Sequence, residues 1–149
     1  MRWRRRFDCR LPVVDFGILI LKDMTPQRLE DRLIDFAVMV IDVVEALPNT
    51  KAGNHVGGQL IRSGTSTAPN YAEARSAESR KDIVHKMKIS LMELRETMVW
   101  LKIIARKRMG ECRGVPVAPA EWEELIEIFT ASTKRLRAAS DLSHPKSSS

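Results

Sequence analysis

The sequence predicts an all-α fold, an antiparallel up-down-up-down four-helix bundle, and three observations lead there. Ser79–Met109 lies in the longest run of the chain without Gly or Pro. Its residues Val84, Met87, Leu91, Leu94, Met98, Leu101 and Ala105 step by three and four along one helix face. Three other segments carry similar spacing, and the short connections between them suit antiparallel neighbours. Aromatic residues make up 5% of the chain and charged residues 30%, which fits helices better than a β-sandwich. At 149 residues the chain can form one domain with a sizeable core.

Residues 24–141 hold the bundle pattern; residues 1–23 precede it as an extension. Their arginine cluster and the apolar Leu11–Leu21 resemble a signal peptide, but Asp15 interrupts the run and no small-x-small cleavage site follows before Met24. Two readings remain open: an arm docking through Val13–Leu21, or a segment upstream of a true start at Met24.

The first helix opens with Thr25 as N-cap and Pro26 at the first helical position, where the missing N–H costs nothing. Leu29, Leu33, Phe36, Val40, Val43 or Val44, and Leu47 form its inner stripe, which Ile34, Val38 and Ile41 widen. Asp31, Asp35, Asp42 and Glu45 form an acidic outer face, and Pro48-Asn49 ends the helix.

Thr50–Asn54 reads as a short connection. From His55 to Ala74, Val56, Leu60, Gly64, Thr67 and Tyr71 keep helical spacing, although Gly57, Gly58, Ser63, Gly64, Thr65, Ser66 and Thr67 are poor helix formers. So many small residues permit close backbone approach. Pro69 predicts a kink or a missing hydrogen bond, and a broken helix plus loop is the alternative. Asn70 and Glu73 are expected to bond backbone freed near Pro69, or to pair with Arg62 or Arg75.

Arg75–Glu78 turns into the long third helix, where Ser79 and Asp82 form a capping-box start and Gly110 a stop. Ile89, Met92, Val99 and Ile103, with Trp100 beside them, form a second apolar strip roughly opposite the first. A helix that is apolar on two sides is usually buried on two sides. One side can face the chain's own bundle; the other needs a further helix or another subunit, so self-association is expected. After the Gly110–Ala118 loop, Pro119 opens the fourth helix with Glu121, Glu123 and Glu124, where the helix dipole favours negative charge. Trp122, Leu125 or Ile126, Phe129, Ser132 or Thr133, Leu136 and Ala139 form its inner face, with Lys134, Arg135 and Arg137 near its end. Residues 142–149 form a polar tail expected to be disordered.

The net charge is +6, but residues 1–22 hold six basic and two acidic residues, so the high pI says little about the body. The local signal lies in Arg80–Arg108, with nine basic and three acidic residues. Lys81, Lys88, Arg95 and Lys102 recur every seven residues beside the seam. Three readings stand: solvated residues whose stems cover the seam edge, a ribbon for phosphates, or pairing with acidic residues of a neighbouring helix.

No enzymatic chemistry is legible. His55, His85 and His144 lack partners at metal spacing, and no G-x-S-x-G, P-loop or G-x-G-x-x-G occurs. No metal or cofactor is expected. Cys9 and Cys112 read as isolated reduced thiols of a cytoplasmic protein, and no stretch reaches the roughly 18 apolar residues of a membrane span.

Ile61–Ala74, followed by Glu78–Ile104, resembles the four-helix-bundle family first noticed as reading frames in intervening sequences of bacterial 23S ribosomal RNA genes. The family's second helix reads R-x-x-x-S-x-x-x-N-x-A-E, matched by Arg62, Ser66, Asn70, Ala72 and Glu73; L-x-E at Leu91–Glu93 and an aromatic at Trp100 fit its third. The resemblance covers Pro26–Ala139 and leaves residues 1–23 outside. It implies a left-handed antiparallel bundle and homopentameric assembly. A related protein is the accessory variability determinant of diversity-generating retroelements, whose basic surface binds nucleic acid and a reverse transcriptase. The resemblance implies no activity for most members.

Two functions follow. One is a non-enzymatic homo-oligomer that binds RNA, DNA or ribonucleoprotein through Lys81, Lys88, Arg95, Lys102, Arg106 and Arg108, as accessory factor to a reverse transcriptase. The other is an oligomeric scaffold for a protein partner, without nucleic-acid binding.

Overall fold

The computed structural model describes residues 24–110 and 120–143. They form α1 (Pro26–Glu45), α2 (Lys51–Ser76), α3 (Arg80–Lys107) and α4 (Ala120–Ser143), an all-α four-helix bundle. α2 lies between α1 and α3. α4 packs on α3 and reaches α1 through the Phe36 and Trp122 rings, 4.8 Å apart, and the Arg32–Glu124 ion pair at 2.7 Å. The arm or upstream segment 1–23 with Cys9, the loop 111–119 with Cys112 and Pro119, and the tail 144–149 with His144 lie outside the described residues.

α1 follows the sequence reading closely. Thr25 Oγ1 accepts the Arg28 amide at 3.2 Å, and Leu29, Leu33, Phe36, Val40 and Val43 are buried. Each such side chain contributes roughly 1.5–3 kcal/mol through removal from water. Asp31, Asp35, Asp42 and Glu45 are exposed.

α2 departs from expectation in two ways. It begins at Lys51, because Thr50 acts as N-cap and accepts the Gly53 amide at 3.0 Å; Lys51–Asn54 is the first helical turn, not a connection. It also continues unbroken through Pro69, whose exposed position leaves the ring outside the packing. Asn70 Nδ2 donates to the Ser66 carbonyl at 2.8 Å, next to the Thr65 carbonyl that proline deprives of its helix donor. Glu73 pairs with Lys86 of α3, not with Arg62 or Arg75. The nearest partner across the interface wins over the sequence neighbour. Arg62 turns to Glu93 and Glu96, and Arg75 to Glu30.

The small residues of α2 bring backbones together as expected. At Gly64 an added Cβ would stand 2.6 Å from Val40 Cγ1 and 3.0 Å from Val40 Cβ, so α1 and α2 touch there with nothing between. On the α3 side, the Thr97 hydroxyl donates to Ser63 Oγ at 2.9 Å and Ser90 Oγ donates to the Thr67 carbonyl at 3.2 Å. These buried hydroxyls are satisfied across the interface, which makes the close packing tolerable.

In α3 the Asp82 amide donates to Ser79 Oγ at 3.1 Å. Met87, Leu91, Leu94, Met98 and Leu101 are buried, but Val84 is only half-buried and Ala105 is exposed; Ile104 takes the last core place. A helix of 3.6 residues per turn drifts about 20° per heptad, which carries position 105 out of the core and 104 into it.

The helix stops before Gly110. The Arg108 amide donates back to Ala105 and Ile104, and the Met109 amide to the Ile104 carbonyl at 3.1 Å, with Arg108 in the left-handed region at φ 54°. That C-terminal turn ordinarily favours glycine. Arg108→Gly is therefore expected to raise stability by about 1 kcal/mol, read from a urea midpoint. Gly110, at φ 74°, lies against α1, where an added Cβ would stand 2.5 Å from the Ala46 carbonyl oxygen.

In α4 the structure selects Leu125 and Thr133 as buried from the alternatives offered by the sequence, and adds Ile128 to Phe129. The Phe129 ring meets Tyr71 edge-on at 5.6 Å. Burial pushes the Tyr71 phenol above its ordinary pKa, Arg75 opposes the shift and Glu30 adds to it. Its folded pKa is raised, so its contribution is intact below the unfolded pKa near 10 and is lost as pH rises through the folded value. Stability should therefore fall above about pH 10, and less steeply in Tyr71→Phe, as measured by melts across that range.

Candidate nucleic-acid interface

The candidate surface begins with the heptad spacing of the basic row on α3. Seven residues are nearly two turns, so Lys81, Lys88, Arg95 and Lys102 stay on one side of the helix. All four are exposed, as are Arg106 and Arg108 near the C-terminal end. The structure sets the middle of this row against α4. Arg95 donates to Thr130 Oγ1 at 3.4 Å, and Lys88 lines a groove of about 460 Å³ with Leu91, Thr130, Thr133, Lys134 and Arg137.

The groove therefore has two basic walls, Lys88 and Arg95 from α3, Lys134 and Arg137 from α4. The α4 wall was not read as part of a surface from the sequence, where its charges served the helix dipole. The spacing of Thr130, Lys134 and Arg137 by four and three could have shown it. Thr133 adds a buried hydroxyl without a hydrogen-bond partner.

The row is not uniformly enclosed. The antiparallel register set by Arg95 with Thr130, and by Lys88 with Arg137, brings Glu123 level with Lys102. At that end α4 is acidic, and Arg106 and Arg108 lie beyond it along α3. The basic groove is therefore centred on Lys88 and Arg95.

The residues of the second-helix motif have a different place. Arg62 pairs with Glu93 at 3.8 Å and also with Glu96, Glu73 pairs with Lys86, and Ser66 Oγ donates to the Ser63 carbonyl at 3.1 Å. With Asn70 bonding the Ser66 carbonyl, the motif braces α2 and stitches it to α3 on the side away from the groove. His55 meets the Trp100 ring edge-on at 6.2 Å, and His85 is exposed. Among the described residues no group of three His, Cys, Asp or Glu side chains could hold a metal ion. No helix among them is long and apolar enough to cross a membrane.

The chain is similar to a solved structure from Bacteroides thetaiotaomicron, a protein with unknown function from the S23 ribosomal protein family. The two are 28% identical, the match covers 78% of this chain and 97% of that one, and the TM-score is 0.54. No curated protein matches. The family model for the 23S rRNA-intervening sequence protein matches residues 29–130, which takes in all of α2 and α3 and most of α1. With the arginine, serine, asparagine and glutamate of its second helix bonded as described, the chain belongs to the 23S rRNA-intervening sequence protein family.

Proposed function

We propose that this chain is a non-enzymatic cytoplasmic homo-oligomer, a pentamer as its family resemblance implies, that binds nucleic acid or ribonucleoprotein through the basic α3/α4 surface. One contrast carries the reading. Arg32, Arg62, Arg75 and Lys86 each hold a carboxylate within the bundle. Lys81, Lys88, Arg95, Lys102, Lys134 and Arg137 hold none among the described residues, though Lys88, Arg95, Lys134 and Arg137 converge on one groove. Cations gathered without counter-charges suit phosphates. No element here reads base edges, so binding is weakly sequence-selective. The ribonucleoprotein it suits is a reverse transcriptase with its nucleic acid.

A gel shift of the full chain with a mixed-sequence RNA or DNA, titrated with salt, tests this. Four phosphate contacts give a log–log salt slope of about −3 to −4. Absence of any shift at low salt would sink the reading. It would favour an oligomeric scaffold for a protein partner, to which the exposed apolar residues of α1 and α3 also lend support.

A further inference from the structure

Two apolar strips lie on the outside of the bundle. On α1, Ile34, Val38 and Ile41 are 47%, 52% and 37% exposed; on α3, Met92, Val99 and Ile103 are 67%, 56% and 39% exposed. We infer that these strips are the two halves of one interface between copies of this chain, α1 of one copy packing parallel on α3 of the next. The inference deepens the self-assembly half of the proposed function and rests on it.

Charge makes the strips complementary. At about 100° per residue, Asp31, Asp35 and Asp42 border the α1 strip on its α4-facing flank. By the same spacing Lys88, Arg95 and Lys102 border the α3 strip, also on the flank toward α4. When α1 and α3 of adjoining copies meet in parallel, the two α4 flanks fall on the same side of the contact, and the acidic row faces the basic row. An antiparallel contact of α3 with α3 would instead set the basic rows together, and one of α1 with α1 the acidic rows. Those arrangements are disfavoured by like charge.

Height along the bundle agrees. Val40 stands against Gly64, and its neighbour Ser63 bonds Thr97, so α1 and α3 are tied to common levels through α2. Carried across at 1.5 Å per residue, Ile34–Ile41 stands level with about residues 89–96, within the span from Ile89 to Ile103. Copies can therefore be joined by rotation about an axis parallel to the helices, with little rise. A head-to-tail contact of that kind closes into a ring instead of growing a filament. Each copy brings one acidic-edged and one basic-edged strip, so each neighbour uses a different half.

Native mass spectrometry and sedimentation of the full chain test this with two exposed positions. Val38→Glu spoils the α1 strip and Val99→Glu the α3 strip. Each is expected to weaken self-association at least about 100-fold while retaining the parent's circular dichroism. Mixed in equal amounts, the two variants should form a heterodimer and stop there, because only one intact pair of strips remains. A variant that keeps the parent's assembled mass, or a mixture that stays monomeric, overturns the inference and leaves the proposed assembly standing. A parent chain that is itself monomeric overturns both. A parent that assembles only after removal of residues 1–23 assigns the strips to that segment instead. The nucleic-acid reading is measured separately, by the gel shift.

Discussion

Gly64→Val is expected to lower the stability of the bundle by about 3 kcal/mol, the largest effect of any exchange to a small apolar side chain on α2. The cause is geometric. A Cβ at Gly64 would already press on both methyl carbons of Val40, at 2.6 and 2.7 Å, and on its Cβ. Val40 is fully buried, so it has nowhere to go without lifting α1 off α2. Alanine at the same position should cost less, because its helix propensity offsets about 1 kcal/mol of the strain. Urea denaturation followed at the helical signal would read both. Pairing Gly64→Val with Val40→Ala should recover part of the loss, since the two sites share one contact. An unchanged midpoint in Gly64→Val would mean that α1 and α2 do not approach as described.

Lys88→Glu combined with Arg95→Glu is expected to reduce nucleic-acid affinity more than 100-fold near 50 mM salt and to flatten the salt slope by about 2. These side chains form the α3 wall of the groove, and both are exposed, so the fold should persist. Lys134→Glu, on the opposite wall, should also weaken binding. Arg135→Glu changes net charge by the same amount one residue away, outside the groove lining, and should cost less. Equal losses from the two single exchanges would reduce the effect to overall charge and remove the groove from the account.

Much of the fold could be read in advance because local and global signals agree. Thr25, Pro26 and the steps from Leu29 to Val43 all point to one helix facing one way, and the structure follows them. Reading was weaker where two periodicities nearly coincide. Across a single heptad, 3.5 and 3.6 residues per turn cannot be told apart; across the length of α3 they exchange Ala105 for Ile104. The start of α2 was hidden because a cap at Thr50 looks like any polar loop residue until its hydroxyl is seen to accept the Gly53 amide.

The candidate surface was half legible. Lys81, Lys88, Arg95 and Lys102 share a helix and therefore a spacing. The contribution of Lys134 and Arg137 depends on how α4 slides along α3, and no pattern within either helix sets that register. The partners of Arg62, Glu73 and Arg75 were misassigned for the same reason, because ion pairs form between helices at positions that only packing chooses.

α2 is rich in glycine and hydroxyl residues, and Ser63, Thr65, Ser66 and Thr67 all bond carbonyls of their own preceding turn. Left alone, such a segment has little reason to coil. During synthesis it emerges before the partner that supplies Thr97 and Ser90, so it waits on the ribosome without a settled conformation until α3 arrives. A chain cut short after Ser76 would thus lose more than the missing helices: α2 would be present in covalent terms and absent as structure, leaving the greasy side of α1 bare to chaperones and proteases.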